Sequence, residues 1–536
     1  MNSPSHLIPI LLVSAALFSF PGVTSFNTKQ DFLQCLTLYS KNDPTIFNEV
    51  YTPSNSSYPS ILQSKLENPR FNTTDTPKPV FIVTPTNESH IQATVYCTQK
   101  HGLQIRIRSG GHDYEGLSSR ALTPPPFVII DLFNLKRVSV DVTEKTAWVQ
   151  AGATLGQVYY AIGQKSKTLA FPAGGCPTVG SGGHFSGGGY GLLVRKYGIA
   201  ADNIIDAHLI DVNGRLLDRA SMGEDLFWAI RGGGGNTFGI VTAWKINLVP
   251  VPPVVTIFSV SRTKEQKGIE LLHRWQYLGS KLHEDLMILI FWGKNNSNLG
   301  GNVNAVTASF NTLFLGGVDR LLSIMNEDFP ELGVVKEDCQ EMTWLEAQIS
   351  FAAGFTANLS TDVLLSNVSI FNVNFKGKSD FVTHPQPLKV IEEIWKRMEE
   401  NVEIVRFGMT PFGGKMSEIS ESNVPYPHRA GILYKIGYLA AWNNNTVETA
   451  QRHINWLRSI YSYVAPYVSK NPRRAYVNYR DLDLGTNDQG YTSYKKASIW
   501  GVKYFHNNFD RLVKIKTVVD PTNYFRNEQT IPPFSY

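Results

Sequence analysis

Two glycine-rich stretches restrict what this chain can fold into. The first is RSGGHDYEG, from Arg108 to Gly116, and the second is PAGGCPTVGSGGHFSGGGYG, from Pro172 to Gly191. Glycine lets the backbone adopt positive φ and approach a bulky ligand closely, and the freed N–H groups can donate hydrogen bonds to phosphate oxygens. The two stretches therefore predict a cradle for a large anionic ligand, and a dinucleotide fits that description.

Each stretch carries one nucleophilic side chain, His112 in the first and Cys176 in the second. Taken alone, a histidine or cysteine between glycines is more often structural or metal-binding. An imidazole nitrogen and a thiolate sulfur can, however, both attack an electron-poor ring. Together they point to a flavin attached at two positions, and we predict no metal site.

The glycines do not follow the common nucleotide-binding fingerprints. No GxGxxG opens a βαβ unit, which argues against a dinucleotide held in the Rossmann manner. The run Gly232 to Gly235 is not followed by Gly-Lys-Ser/Thr, so it is not a Walker loop. Such runs are often flexible linkers, but apolar segments at 227–230 and 238–241 flank this one. We therefore expect a packed loop.

Five motifs make the chain similar to the plant berberine bridge enzyme-like proteins, which are FAD-linked oxidases of the vanillyl-alcohol-oxidase type. They are SGGHDYEG, CPTVGSGGHFSGGGYG, GEDLFWAIRGGGG (Gly223 to Gly235), YVNYRDLDLG (Tyr476 to Gly485) and FRNEQTIPP (Phe525 to Pro533). The resemblance covers nearly the whole chain and implies an α+β, two-domain FAD-binding fold with an antiparallel-sheet substrate domain. It also implies bicovalent FAD, with His112 bonded to the flavin 8α-methyl carbon and Cys176 to ring carbon 6.

The same resemblance implies the other site residues. The catalytic candidates are Tyr479, Lys435, Tyr114 and Tyr190. The residues expected at the cofactor, beside His112 and Cys176, are Arg108, Ser109, Gly110, Gly111, Asp113, Gly174, Thr178, Val179, Gly182, Gly183, His184, Gly187, Tyr190, Gly235, Ile240, Val241, Tyr476 and Asn478. In the family the position matching Tyr479 is the usual base or base partner, and the one matching Lys435 varies between Glu and Lys.

Strand periodicity gives independent reason to single out Lys435. In the predicted strand 432–442, alternate residues share a face, so Lys435 lies with Leu433, Gly437 and Leu439. A lysine on an apolar face needs a partner, and a nearby cation would lower the pKa of a tyrosine phenol from about 10. A solvated lysine and a packed tyrosine are the alternative.

The chain is 536 residues long, too long for one ordinary domain. We predict a signal peptide at 1–25, an FAD-binding domain at 26–252, a substrate domain at 253–470 and a C-terminal segment at 471–536 that completes the FAD-binding domain. The Pro250-Val251-Pro252-Pro253 run suggests the boundary. Beyond it, strands are expected at 286–292, 303–310, 366–375 and 432–442, with helices at 388–400 and 446–463.

The first 25 residues indicate a secreted glycoprotein. The apolar run Leu7 to Phe20 precedes small residues before Phe26, as in a secretory signal peptide, although no Lys or Arg precedes the run. Seven sequons follow, at Asn55, Asn72, Asn87, Asn295, Asn358, Asn367 and Asn444. We expect no membrane anchor and, since the net charge of +5 has no basic block, no nucleic-acid partner. A monomer in the cell wall or vacuole is predicted.

Four cysteines are present, and an oxidising compartment makes Cys35 and Cys97 the natural pair. The resemblance implies the same disulfide. With Cys176 assigned to the flavin, Cys339 is left as a buried, small apolar residue.

The substrate is predicted to be a plant specialised metabolite, such as a phenolic, a prenylated phenolic or an alkaloid. Many alcohol-oxidising relatives carry Gln on the strand at 286–292, whereas here the strand ends Phe291-Trp292-Gly293. Alternatives are a flavin-dependent cyclase, a carbohydrate or monolignol oxidase, and a glycoprotein with a vestigial site. The family's oxygen gate falls at Val179, and valine there implies O2 as acceptor and H2O2 as product.

Overall fold

A computed structural model describes residues 28–40, 43–122, 126–294, 305–354, 360–366, 373–400, 404–488 and 492–534. The predicted signal peptide and the sequons at Asn295, Asn358 and Asn367 lie outside these residues.

The described residues form strands in four sheets. The strands are β1 (Val50–Tyr51), β2 (Phe81–Val83), β3 (Gln104–Arg108), β4 (Phe127–Asp131), β5 (Val138–Asp141), β6 (Thr146–Gln150), β7 (Leu169–Ala170), β8 (Ile204–Ile210), β9 (Leu216–Leu217), β10 (Ile240–Asn247), β11 (Val249–Pro250), β12 (Val255–Arg262), β13 (Leu286–Lys294), β14 (Val306–Phe314), β15 (Cys339–Met342), β16 (Asn374–Val382), β17 (Ile404–Pro411) and β18 (Tyr434–Trp442).

The α-helices lie between these strands and at the C-terminal end. They are α1 (Thr28–Tyr39), α2 (Tyr58–Gln63), α3 (Glu88–Lys100), α4 (Leu155–Lys165), α5 (Ser181–Ser186), α6 (Val194–Tyr197), α7 (Arg219–Ile230), α8 (Gly268–Leu278), α9 (Val318–Asp328), α10 (Trp344–Ala352), α11 (Asp362–Leu365), α12 (Leu388–Glu400), α13 (Lys415–Glu418), α14 (Val447–Val464), α15 (Tyr494–Phe505) and α16 (Phe509–Val519).

Residues before 252 form three small sheets. One has the order β1-β2-β4-β3, with β4 parallel to both β2 and β3, and another is the antiparallel sheet β5-β6-β10-β8-β9. The third is the pair β11-β7. A core of aliphatic and aromatic side chains lies between the five-stranded sheet and the C-terminal helices, where Trp244, Trp500 and Phe509 are buried.

The seven-stranded sheet has the order β15-β12-β14-β13-β17-β18-β16, and every neighbouring pair is antiparallel. Helices α8, α12 and α14 cover one face of it and bury Trp275, Trp395 and Leu457. The α+β architecture with an antiparallel substrate-side sheet is therefore confirmed. The domain boundaries stay a prediction.

Alternation along β18 decides which residues reach the opposite face. Tyr434, Ile436 and Tyr438 pack into the helix-covered core. Lys435 and Leu439 therefore point away from those helices, as strand periodicity predicts.

Two local sequence features shape the FAD-side elements. The capping box of Thr154 and Gln157 opens α4, and the Asn213-Gly214 turn joins antiparallel β8 and β9. Strand β16 begins at Asn374, near the end of the strand predicted at 366–375, and residues 367–372 of that prediction lie outside the described residues.

The cysteines divide as predicted, with one exception. Cys35 and Cys97 form a disulfide between α1 and α3. Cys176 and Cys339 are free thiols. Cys339 is half-buried on the edge strand β15, so the expectation that it is buried is wrong.

Candidate active site

The two glycine-rich loops pack directly on each other. A Cβ on Gly110 would lie 2.2 Å from the Gly180 nitrogen, and one on Gly180 would lie 2.1 Å from Ser109 Oγ. Gly111 has φ +77° and faces the Lys65 carbonyl, which a Cβ would approach to 1.8 Å. Several of the glycines therefore serve the approach of one loop to the other.

This packing brings His112 and Cys176 to the same residue, Thr178. The His112 ring lies close enough to the Thr178 backbone for the backbone to raise its pKa, against the larger effect of burial. Cys176 Sγ lies 3.6 Å from Thr178 Oγ1. The two nucleophiles, 64 positions apart in the chain, are thus both neighbours of one threonine.

Burial sets the ionisation of both nucleophiles. It lowers the pKa of His112 to about 3, and the nearby Lys65 adds to the effect. The imidazole is therefore neutral at physiological pH and keeps a nitrogen lone pair. Burial raises the pKa of the Cys176 thiol, against the opposing effect of its hydrogen bond with Thr178. Cys176 is a thiol in this environment.

Three of the four catalytic candidates form a continuous hydrogen-bonded chain. The hydroxyls of Tyr479 and Tyr190 are 2.7 Å apart, and Lys435 Nζ donates to the Tyr190 hydroxyl at 2.6 Å. The Tyr114 ring stacks on Tyr479 with centroids 4.9 Å apart and an interplanar angle of 15°. All four candidates therefore lie together, although they come from four separate segments of the chain.

The electrostatics differ from the sequence-based expectation. Lys435 is 2% exposed, and burial lowers its pKa well below 10.5. Burial also raises the pKa of Tyr479, although its hydrogen bonds with Tyr190 and Tyr114 oppose the rise. Lys435 thus tends toward a neutral amine and Tyr479 toward a neutral phenol, in place of the expected ammonium beside a phenolate.

Glycines on three neighbouring strands form a floor beneath these tyrosines. In register, Gly437 of β18 lies opposite Gly408 of β17, while Gly377 of β16 lies opposite Leu439. A Cβ on Gly437 would lie 3.1 Å from both Lys435 Nζ and Tyr479, and one on Gly377 would lie 2.6 Å from the Tyr114 ring. Because these glycines have no side chains, the rings of Tyr114 and Tyr479 can pack directly against the sheet.

Ion pairs hold the tyrosine-bearing segments to each other and to the sheet edge. Asp113 pairs with Arg480 at 3.1 Å. Buried Lys376 of β16 pairs with Glu115, and also with Asp481 at 2.7 Å. These residues adjoin or closely follow Tyr114 and Tyr479. Their pairing thus fixes the relative position of the two rings.

Not every residue expected at the cofactor is free to touch it. Arg108 is fully buried, and its guanidinium donates to Asp131 and to the Ile61 and Leu62 carbonyls. These contacts occupy its guanidinium, and a contact of Arg108 with the cofactor stays a prediction. Ile240 is buried in the core beside β3 and β4 and is a packing residue.

Other predicted residues are placed at the loops through internal hydrogen bonds. His184 Nε2 accepts from the Gly174 amide at 2.9 Å, and Ser109 Oγ donates to the Ala151 carbonyl at 2.6 Å. Asn478 donates to the His184 carbonyl and to the Tyr476 hydroxyl, each at 2.9 Å. The segment at 476–479 therefore lies against the second glycine-rich loop.

Two of the predicted glycines border open space suited to an extended ligand. Gly183 is exposed, and a Cβ built on it would meet nothing within 4 Å. A Cβ on Gly235 would lie 4.0 Å from Gly183 Cα, and half-buried Val179 and Val241 lie nearby in the same packed unit. With His112 and Cys176 on the adjoining loop, this donor set fits FAD, which the backbone around Gly183 and Gly235 would hold.

Sequence reasoning missed two residues of this region. Glu67 Oε2 lies 3.5 Å from His112 Nε2, and its proximity is visible only in the folded chain. Arg406 lies on β17, where Val405 and Phe407 face the helix-covered core. The alternating pattern Val405, Phe407, Met409 could have indicated that Arg406 shares the face of Lys435.

Trp292 and Phe291 lie on opposite faces of the sheet. Trp292 points into the core under the helices, whereas its neighbour Phe291 faces the glycine floor. The aromatic side chain at this end of the sheet is therefore Phe291.

In the part of the chain that is described, no helix is long and apolar enough to cross a membrane.

Comparison with known protein families matches two regions. A family profile described as "FAD binding domain" matches residues 79–219, and one described as "Berberine and berberine like" matches residues 475–532. The first contains both nucleophiles and the second contains Tyr479. A tetrahydroberberine oxidase from Berberis wilsoniae is 52% identical over 509 residues, covering 94% of each chain.

Solved structures agree with the fold. Berberine bridge enzyme-like protein 28 from Arabidopsis thaliana superimposes with a TM-score of 0.88 at 48% identity, covering 94% of this chain and 100% of that one. Phl p 4, a grass pollen allergen with glucose dehydrogenase activity, gives 0.89 at 44% identity with the same coverage. An Ile-to-Val variant of that allergen is described as a glucose oxidase.

Proposed function

This chain belongs to the berberine bridge enzyme-like family of FAD-dependent oxidoreductases, and from that premise we propose that it is a bicovalent flavin oxidase of a plant phenolic or related specialised metabolite. The observation that carries the proposal is the chain of Tyr479, Tyr190 and Lys435 above the glycine floor. FAD, when bound, takes two electrons and a hydrogen from a substrate C–H and passes the electrons to O2.

The residues would remove the accompanying proton by relay. A substrate hydroxyl gives its proton to Tyr479 Oη, Tyr479 passes its own proton to Tyr190 Oη, and Tyr190 passes its proton to Lys435 Nζ. Each tyrosine releases its own proton as it receives another, so the net change is the transfer of one proton from the substrate to Lys435. A neutral amine at the end of the relay is the form that burial favours.

Attachment of the flavin through both His112 and Cys176 is part of this proposal. Their common contact with Thr178 supports it, as does the neutral state of the imidazole. A doubly attached flavin cannot dissociate and is electron-poor, which suits demanding two-electron oxidations.

Oxygen as the acceptor is supported by Val179, which is half-buried beside the Cys176 loop. In Phl p 4 the wild type is described as a glucose dehydrogenase, and a variant with Val in place of Ile as a glucose oxidase. We propose that Val179 likewise leaves the path of O2 to the flavin open in this protein.

Passage through the secretory pathway to the wall or vacuole is also proposed. The Cys35–Cys97 disulfide needs an oxidising compartment, and three sequon asparagines, Asn55, Asn72 and Asn444, are exposed.

The test is an anaerobic screen of phenolics, alkaloids and sugars for bleaching of the flavin absorbance, followed by admission of air and assay of H2O2. Bleaching by a phenolic and release of peroxide are expected. Bleaching by sugars alone would favour a carbohydrate oxidase. Turnover to an isomer without bleaching would favour the cycloaddition alternative, for which half-buried Phe291 and Leu439 supply an apolar wall.

A further inference from the structure

A half-buried arginine, Arg406, lies on the substrate-side face of the seven-stranded sheet. Within the described residues its side chain makes no hydrogen bond or ion pair, and its Nε is buried without a partner. Its guanidinium lies over the Phe291 ring, 3.9 Å from the centroid. The guanidinium groups of buried Arg108 and Arg429, by contrast, are each paired with a carboxylate.

The register places Arg406 close to the reaction centre. Arg406 lies opposite Leu439 on β18, and Thr410 lies opposite Lys435, so Arg406 and Lys435 share one face. Four residues separate the two positions along the strands, or about 14 Å of backbone. Phe291 lies opposite Gly408, so by stacking on Phe291 the guanidinium leans toward the glycine floor.

The residues between the two ends leave this part of the face uncovered. Phe291, Gly408, Gly437 and Leu439 are half-buried, whereas Lys435 and Thr410 at the far end are buried. Because the Arg406 side chain leans into this span over Phe291, the distance left to Lys435 fits one aromatic ring with a short substituent.

The charge of Arg406 persists at physiological pH. Desolvation lowers its pKa to about 10, and a cation that is partly removed from water is costly unless a ligand supplies the counter-charge. A carboxylate accepts two parallel hydrogen bonds from a guanidinium and matches it in geometry.

We propose that Arg406 is the substrate-binding residue for an anionic group, and that the substrate is an aromatic acid whose carboxylate lies on Arg406 while its hydroxyl-bearing end reaches Tyr479. Phe291 holds the guanidinium plane and covers one side of the substrate ring. The inference rests on the proposed function, because it takes the oxidised end of the substrate to lie at Tyr479.

The experiment measures binding to the oxidised holoenzyme by isothermal titration calorimetry, with 4-hydroxycinnamate and its methyl ester as probes. The two probes differ in the charge of the group expected at Arg406 and in one methyl group. We expect the acid to bind more tightly than the ester, and Arg406→Met to weaken acid binding by about ten- to a hundred-fold while changing ester binding less than about two-fold.

Two further variants separate charge from packing. Arg406→Lys keeps the charge without the planar fork and should recover part of the acid binding. Arg274→Met removes one exposed arginine of α8, whose side chain is 48% exposed, and should leave both affinities unchanged. Thermal melting and the flavin spectrum check that each variant is folded.

Equal affinity for acid and ester, including no binding of either at millimolar concentration, would overturn the proposal. So would equal losses for both ligands in Arg406→Met. Because binding is read without turnover, Arg406-dependent acid binding with no flavin reduction by any phenolic would reject the oxidase function alone.

Discussion

Lys435 Nζ hydrogen-bonds the hydroxyl of Tyr190 at 2.6 Å and contacts Tyr479 through the face of its ring, 3.8 Å from the centroid. The amine is thus one hydrogen bond removed from the hydroxyl of Tyr479, and Tyr190 lies between them. In the proposed mechanism, this hydrogen bond makes Lys435 the end of the proton relay.

Lys435→Met should remove a pH dependence. Lys435 is charged below its pKa and neutral above it, and burial places that pKa well below 10.5. Because only the neutral amine accepts a proton, flavin reduction in the wild type should quicken as pH rises through this pKa. In the variant this rise of the reduction rate with pH should be lost. The rate reached at high pH should fall by about ten- to a hundred-fold relative to the wild type. Stopped-flow reduction across pH measures both.

The matched control is Lys281→Met, which removes an exposed lysine. If the reduction rate of Lys435→Met rises with pH as it does in the wild type, Lys435 is not part of the relay.

Tyr479→Phe keeps the ring that stacks on Tyr114 and deletes the hydroxyl that receives the substrate proton. The flavin spectrum should persist while reduction slows by about 10²- to 10⁴-fold. Tyr197→Phe, which deletes a hydroxyl bonded to the Pro250 carbonyl, is the control. If both variants reduce at the wild-type rate, Tyr479 is not the acceptor.

Flavin attachment is tested by acid precipitation of the protein. Wild-type precipitate should stay yellow, and His112→Ala or Cys176→Ala should each retain flavin through the remaining bond. The double variant should release it. Release of all flavin from the wild type would contradict attachment at either residue.

Val179→Leu should slow flavin reoxidation by O2 and leave substrate reduction nearly unchanged, because one extra methylene narrows the path without altering the fold. Val179 is half-buried against the FAD-side core, which leaves limited room for the larger residue. Mixing reduced enzyme with air-saturated buffer measures the rate. Wild-type reoxidation lasting many minutes would argue against an oxidase.

Glycans should be found at Asn55, Asn72 and Asn444 but not at Asn87. The first three are exposed, whereas the Asn87 side chain accepts from the His90 amide at 3.1 Å and caps α3. Replacing such a cap costs about 1 kcal/mol, and its amide also donates to Asp43. Glycopeptide mass spectrometry of protein from plant cells decides, and full occupancy of Asn87 would show the prediction wrong.

Local features of the sequence were sufficient for much of the fold. Strands β4, β5 and β6, the capped start of α4 and helix α12 follow from alternation, turn residues and caps, which act over a few residues. The His112 and Cys176 loops were found for the same reason, since glycine density and a nucleophile are both visible in one short stretch.

Contacts between distant segments could not be found in this way. Glu67 beside His112, Lys376 between Glu115 and Asp481, and unpaired Arg406 above Phe291 depend on which strands adjoin. The ionisation of Lys435 was likewise mispredicted, because the free-energy cost of burying a charge depends on everything packed around it.

The sequence by itself thus determined the family, the cofactor and the residue types of the site, because each is recorded in short motifs. Only the tertiary structure decided that Lys435 hydrogen-bonds Tyr190, that Arg108 pairs with Asp131 and that Trp292 lies in the core. The physical reason is that hydrogen bonding, burial and desolvation are properties of a residue's three-dimensional neighbours, which strand order and register select.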